Sequence, residues 1–197
     1  MTAVGHFAGS ENCLPIGTRL ADFEITGVLG EGGFGIVYMA FDHSLQRSVA
    51  IKEYMPGPLA VRAPDHSVTV RAERHQDTFE LGLKSFINEA RFLAQFDHPS
   101  LVKVYRFWEQ NQTAYTAMQY YEGRTIKDIV ANSPEVVTEE WCLRVLKQIL
   151  GALDAALTDG FVLDDQLIVM RETTIVEGGP LAGLTIGEVL TRYGFSV

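Results

Sequence analysis

The sequence predicts an α+β fold, in which a five-stranded antiparallel sheet carries one main helix and is followed by further helices. Three observations predict it: three short β-type runs separated by turn signals, one long amphipathic stretch, and two more β-type runs before a helical region. The chain has 197 residues, of which 47% are hydrophobic and 21% charged. This composition is typical of a globular protein with room for a core, and it excludes a disordered or collagen-like chain.

The first three strands follow a polar lead-in. Residues 1–19 are small and polar, which predicts a flexible tail. The β-type runs 23–29, 36–41 and 48–53 come next, with a glycine cluster after the first and a polar turn at 42–47 after the second. Short strands joined in this way indicate an antiparallel meander.

A segment rich in proline and glycine separates these strands from the main helix. Val68 and Val70, flanked by Arg62 and Arg71, could form a small hairpin. The arginine and histidine side chains of this segment could form a docking or phosphate-binding patch, or they could belong to an ordinary solvated loop. Since nothing in the sequence brings them together, we favour the solvated loop.

The main helix is predicted over residues 78–96. Its apolar residues recur at three- and four-residue spacing, and the Asp-His-Pro sequence at 97–99 ends it. The members of this stripe are Phe79, Leu83, Phe86, Ala90 and Leu93.

Two strands and two helices are predicted after the main helix. Residues 101–108 and 114–121 form strands across a polar turn. A short helix begins at Thr125, with Asp128 three residues later as an approximate capping box, and a longer one has Thr138 as its N-cap. One face of the longer helix carries Trp141, Val145, Ile149, Leu153 and Leu157.

Charge and cysteine content exclude several kinds of partner. Lys and Arg total 16 and Asp and Glu total 25, so the net charge of −9 argues against nucleic acid or an anionic membrane. Cys13 and Cys142 lie far apart and in no metal-binding pattern, which indicates free thiols in a reducing, cytoplasmic compartment. No signal core and no run of about 18 apolar residues is present, so we expect no membrane segment.

The residues that point to chemistry begin at Gly30. Gly30–Val37 fits G-x-G-x-x-G-x-V, a spacing that also occurs in dinucleotide-binding folds, but here a β-type run follows the glycines where those folds need a helix. No Gly-Lys-Ser/Thr follows, which excludes a Walker A loop. A glycine turn between two strands can bring backbone N–H groups against phosphates.

Two charged residues extend this interpretation. Lys52 lies in the apolar strand 49–52, where it is either an edge lysine or a cation for the phosphates. Glu89 is three residues after Phe86 and four before Leu93, so it shares their inward side of the main helix. It is either a boundary residue or the anion that holds Lys52, and we predict the ion pair.

At this point the sequence resembles the eukaryotic-type protein kinases, in particular bacterial serine/threonine kinases, over about residues 20–157. The matching motifs, in order, are L-G-E-G-G-F-G-I-V-Y (29–38), V-A-I-K (49–52), F-I-N-E-A-R-F-L (86–93), H-P-S-L-V-K-V (98–104) and the hinge-like M-Q-Y-Y-E-G (118–123). The resemblance implies an N-lobe at 20–121, a hinge and first C-lobe helices at 122–157, and a diverged or truncated C-terminal segment at 158–197, all after a tail at 1–19.

The resemblance also implies an ATP site and roles for individual residues. Lys52 and Glu89 would be its catalytic ion pair, and Met118 its gatekeeper. The ATP-binding residues would be Leu29, Gly30, Glu31, Gly32, Gly33, Phe34, Gly35, Val37, Ala50, Lys52, Met118, Gln119 and Tyr121. Val37 and Ala50 would pack on adenine, and the backbones of Gln119 and Tyr121 would bond its edge.

The resemblance fails where the family completes the reaction. Neither H-R-D-x-x-x-x-N nor D-F-G occurs in residues 150–197, so the family's magnesium ligands are not identifiable. An ungapped extension places Asp165 at the catalytic aspartate, but Leu167 and Met170 stand where the family has Lys and Asn.

Two functions stay open, and a third alternative is a truncated product with no independent role. One is ATP-dependent phosphorylation of protein Ser or Thr residues, with the catalytic parts incomplete in this chain. The other is a pseudokinase-like module that senses nucleotide or binds a partner kinase.

Overall fold

The computed structural model describes residues 10–158, 161–163 and 166–168. Its strands are β1 (Arg19–Leu20), β2 (Phe23–Gly32), β3 (Gly35–Asp42), β4 (Arg47–Tyr54), β5 (Ala60–Arg62), β6 (Val68–Val70), β7 (Val104–Gln110), β8 (Thr113–Gln119), β9 (Phe161–Leu163) and β10 (Gln166–Ile168). Its α-helices are α1 (Gln76–Leu93), α2 (Ile126–Asn132) and α3 (Glu139–Thr158). The main sheet has the order β1-β2-β3-β4-β8-β7, with each neighbouring pair antiparallel. The α+β class is confirmed.

The predicted elements are present with shifted ends. The sheet has six strands rather than five, because the two residues of β1 pair with the start of β2. The main helix ends at Leu93 rather than residue 96, since the chain turns there through hydrogen bonds from Gln95 N to Phe92 O and from Phe96 N to Leu93 O. At α2 the predicted capping box is complete: Asp128 N donates to the Thr125 hydroxyl, and Thr125 N donates to Asp128.

The two faces of the main sheet differ in exposure. Side chains alternate along each strand, and residues opposite one another in register share a face. One row consists of Val37, Lys52 and Thr116, and the next row, on the opposite face, consists of Tyr38, Ile51 and Ala117. The second row is completely buried, whereas Val37 and Lys52 are only half-buried. The sheet therefore closes a core on one side and leaves a cleft on the other.

A polar cluster lies inside that core. The buried Glu53 carboxylate accepts hydrogen bonds from the hydroxyls of Tyr38 (2.7 Å) and Tyr115 (2.8 Å) and from Arg62 Nη2 (2.6 Å). The Arg62 side chain is only 5% exposed, so the solvated loop that the sequence favoured for it is wrong. Its guanidinium has left water because a buried carboxylate and two backbone carbonyls, those of Asn12 and His66, satisfy its donors.

Residues 10–18 differ from the flexible tail expected of them, because the core network holds them on the sheet. Leu14 is 2% exposed and its backbone N–H donates to the Tyr38 hydroxyl. Arg62 donates to both the backbone and the side-chain oxygen of Asn12. Ser10 Oγ donates to the Glu31 carboxylate over 2.6 Å. A chain segment without periodicity is ordered here by contacts with distant residues.

Stability at alkaline pH should depend on this cluster. Burial first, and then the Glu53 charge, raises the pKa values of Tyr38 and Tyr115 far above the ordinary 10. The stabilisation is therefore complete below about pH 10 and is lost at higher pH, where the unfolded chain ionises and the folded chain does not. We expect the free energy of unfolding to fall above pH 10 by about 1.4 kcal/mol per pH unit for each tyrosine. Urea unfolding from pH 9 to 11.5 measures this slope, and Tyr38→Phe should flatten it; an equal slope in that variant contradicts the assignment.

The C-terminal part of the described chain is mostly helical. Apolar side chains of α3 are about half exposed: Leu143, Leu146, Ile149, Leu150 and Leu153. β9 and β10 pair as an antiparallel hairpin after α3. Asp165 and residues 169–197 lie outside the described residues.

Candidate functional site

The ion pair predicted between strand and helix is present. Lys52 Nζ, on β4, lies 2.9 Å from Glu89 Oε1 and 3.2 Å from Glu89 Oε2, on α1. The two side chains are 32% and 53% exposed, so the pair stabilises the fold by only about 0–1 kcal/mol. An ammonium group has three donor hydrogens, and this one faces an open cleft. The geometry leaves Lys52 able to bind an anion while Glu89 fixes its direction.

The glycine turn stands beside this pair. β2 runs to Gly32 and β3 starts at Gly35, which pairs with Gly32, so that Gly33 and Phe34 form the tip. Phe34 is 84% exposed, and a Cβ added at Gly32 or Gly33 would meet no atom within 4 Å. The backbone of the tip is therefore accessible to a ligand. A strand follows the turn, as expected, and not the helix that a dinucleotide-binding loop requires.

Gly35 has a different role from the other glycines of the turn. A Cβ at this position would lie 2.2 Å from the backbone oxygen of Glu53. Real Cβ atoms do not approach a backbone atom so closely, so only glycine lets β3 come this near to β4. The sequence motif thus combines one glycine that the fold needs with others that leave space for a ligand.

An apolar patch lines the cleft face of the sheet behind the turn. The register places Ala50 opposite Met39 on one side and opposite Met118 on the other. Val37 lies two residues before Met39 and so shares this face. Val37, Ala50 and Met118 were expected together, and Met39 is an additional member that the alternation along β3 could have indicated. Such a surface suits a flat apolar ring.

The end of β8 presents backbone groups beside that patch. The Gln119 N–H donates to the carbonyl of Lys103 over 2.9 Å, so only the Gln119 carbonyl is left for a ligand. Tyr121 lies beyond the end of the strand and is 53% exposed. Leu29, which lies on β2 just before the glycine turn, is half-buried.

A large cavity extends from the ion pair along α1. It has a volume of about 540 Å³, and Lys52 and Glu89 are among the residues that line it. Its apolar walls include Phe34, Tyr54, Pro58, Leu59, Leu81 and Phe86. Tyr54 and Leu59 were not among the predicted site residues. Neither belongs to a sequence motif, and only the folded chain brings them to the cavity.

The described residues offer no clear metal site. Within residues 10–158 and the two short strands that follow, no group of three or more His, Cys, Asp or Glu side chains could hold a metal ion. We therefore assign magnesium to none of these residues. No helix in the same part of the chain is long and apolar enough to cross a membrane.

Comparison with known proteins decides the family. A family model described as "Protein kinase domain" matches residues 23–165, more than half of the chain. The chain belongs to the protein kinase family. This kinase domain is 32% identical over 140 residues to the serine/threonine-protein kinase PrkC of Bacillus subtilis, and 28% identical over 149 residues to PknG of Mycobacterium leprae.

Solved structures agree with this assignment. The structure titled PpkA-294 apo form has a TM-score of 0.73 and 50% sequence identity, and the match covers 77% of this kinase domain. The PknI kinase domain of Mycobacterium tuberculosis, at 23% identity and a TM-score of 0.56 with 75% of this chain covered, shows the fold alone.

The chain matches only part of the length of these proteins. It spans 54% of the PpkA-294 chain, 52% of the PknI chain, 18% of PrkC and 17% of PknG. The matched segment ends at residue 165, the position of Asp165. The half-exposed apolar face of α3 therefore lies near the C-terminal end of the segment shared with other kinases.

Proposed function

We propose that this kinase domain binds ATP in the cleft between the glycine turn, the cleft face of the sheet and α1. The observation that carries the proposal is the ion pair of Lys52 and Glu89 beside an exposed glycine turn. An anion at this place would meet one cation and accessible backbone N–H groups. The family's use of ATP gives the anion its identity.

Each residue set would then bind one part of the nucleotide. The N–H groups of the turn would receive the phosphates, and Lys52 would bind them with its ammonium held by Glu89. Val37, Ala50 and Met118 would enclose the adenine ring. The Gln119 carbonyl would accept from its amino group, and the Tyr121 backbone would bond the same edge. We propose 20–121 as the N-lobe and 122–157 as the hinge and first helices of the second lobe.

Phosphoryl transfer to protein Ser or Thr is the activity of the family. Magnesium neutralises the phosphate charge when it is bound in kinases, but its ligands come from motifs that residues 150–197 lack. Asp165 as the catalytic carboxylate stays a prediction, as does the cytoplasmic localisation. The missing motifs favour a second candidate function, a pseudokinase-like module that senses nucleotide or binds a partner kinase.

Removing the ammonium group of Lys52 tests ATP binding. In the full chain, ATP should raise the melting temperature, and Lys52→Ala should weaken ATP binding about 10-fold or more. The reason is that hydrogen bonds to a charged group contribute about 1.5–3 kcal/mol. Thermal shift and calorimetric titration, with and without magnesium, measure both. The control is Lys84→Ala, an exposed lysine of α1. Equal ATP affinity in the two variants contradicts the proposal.

A transfer assay separates the two candidate functions. Radiolabelled ATP is incubated with the full chain and a generic basic protein. Label on the chain itself or on the added protein, lost in Lys52→Ala, supports the kinase activity. ATP binding without any transfer supports the nucleotide-sensing module.

A further inference from the structure

The Lys52–Glu89 pair cannot by itself hold α1 against the sheet. Both side chains are substantially exposed, and exposed charges are screened by water and salt. Only three residues of α1 are buried: Phe79, Phe86 and Ala90. A further contact must therefore fix the position of α1 relative to the sheet, so that Glu89 meets Lys52.

Tyr54 provides a second contact between β4 and α1. It is two residues after Lys52, so both side chains leave the strand on the same face. Its ring is 5% exposed and lies against the rings of Phe79 and Phe86, with centroid distances of 5.1 and 5.8 Å. Its hydroxyl donates to the backbone carbonyl of Phe79 over 3.1 Å.

Gly82 makes room for that hydroxyl. A Cβ at Gly82 would lie 2.2 Å from Tyr54 Oη and 3.0 Å from Cζ. The Tyr54 ring cannot swing away easily, because the two phenylalanines hold it. Glycine is unfavourable inside a helix, but any larger residue at this position would meet the Tyr54 side chain.

Gly82 and Glu89 lie on the same side of the helix. They are seven residues apart, which is about two turns, and Phe86 lies between them. The Lys52 ammonium is 5.3 Å from the centroid of the Phe86 ring. β4 therefore contacts α1 at two places. The Lys52–Glu89 ion pair is exposed and weak, whereas the contact of Tyr54 with the two phenylalanines is buried and aromatic.

We propose that Tyr54 and Gly82 are positioning residues. They set the position of α1 relative to β4 and thereby keep Glu89 within hydrogen-bonding distance of Lys52. Neither is among the residues proposed above to bind the nucleotide, although both line the cavity beside the ion pair. The inference rests on the proposed ATP site for its functional meaning, but the arrangement of the ion pair can be measured without nucleotide.

The test uses one substitution that creates a steric clash and a second that removes it. Gly82→Ala adds a methyl group where the Tyr54 hydroxyl lies, and Tyr54→Phe removes that hydroxyl. We expect Gly82→Ala to weaken ATP binding about 10-fold while adenosine, which has no phosphates, binds as before. The double variant Tyr54→Phe/Gly82→Ala should recover to within about 3-fold. Gly57→Ala is the matched control, because a Cβ there meets no atom within 4 Å.

A nucleotide-free measurement accompanies the titrations. An amine-reactive reagent labels Lys52 faster when its ion pair is broken, and mass spectrometry follows the rate. The rate should rise several-fold in Gly82→Ala and return in the double variant. Labelling that rises and returns supports the positioning role even where no variant binds ATP, a result that would overturn only the proposed function. An unchanged labelling rate in Gly82→Ala, or equal losses of ATP and adenosine affinity, overturns the positioning role.

Discussion

Replacing Arg62 with methionine is expected to lower the free energy of unfolding by about 3–5 kcal/mol. Its partner Glu53 is completely buried, with 2.6 Å between the guanidinium and the carboxylate. Without the arginine, that charge would remain in the core with only two tyrosine hydroxyls to satisfy it. An unpaired charge inside a protein is among the most destabilising single changes. Urea unfolding at neutral pH measures the loss.

An exposed arginine gives the matched control. Arg19 pairs with Glu24 over 3.3 Å with its side chain 64% exposed, so Arg19→Met should cost at most about 1 kcal/mol. The double variant Glu53→Met/Arg62→Met removes both charges and should recover part of the loss, because the hydroxyls of Tyr38 and Tyr115 then lose their acceptor. A double variant as unstable as Arg62→Met would show that the unpaired charge is not the cause.

The elements that the sequence predicted correctly depend on local patterns. The apolar stripe from Phe79 to Leu93 predicts α1 because neighbouring turns of a helix share one face. The strands on both sides of the glycine turn follow from β-type residues and turn signals. The ion pair was predictable because Lys52 and Glu89 each occupy a position whose direction the periodicity defines.

The features that the sequence did not predict depend on contacts between distant residues. Arg62 and Glu53 are nine positions apart across a loop, and nothing local distinguishes a buried arginine from a solvated one. Residues 10–18 have no periodicity and are ordered only by the surface they meet. Two signals could have been used: Gly82 interrupts a helix without ending it, and Glu53 alternates with Lys52 and therefore faces the core.

Gly35→Ala is the second change with a large expected effect, and it separates the two roles of the glycine turn. The added Cβ would lie 2.2 Å from the Glu53 carbonyl oxygen and 3.3 Å from its carbon, both backbone atoms. The strands β3 and β4 would have to move apart at their ends, which should cost about 3 kcal/mol of the free energy of unfolding, at the upper end of the usual overpacking range.

Gly33→Ala is the matched comparison at the tip of the same turn. A Cβ there meets no atom within 4 Å, so the free energy of unfolding should change by less than about 0.5 kcal/mol. Under the proposed function its effect falls on ATP affinity, because the side chain restricts the backbone that would face the phosphates. Unfolding curves and ATP titrations of both variants form one experiment. If Gly35→Ala unfolds like the unaltered chain, then β3 and β4 are not held as close together at this point as the structure places them, and the motif serves ligand binding alone.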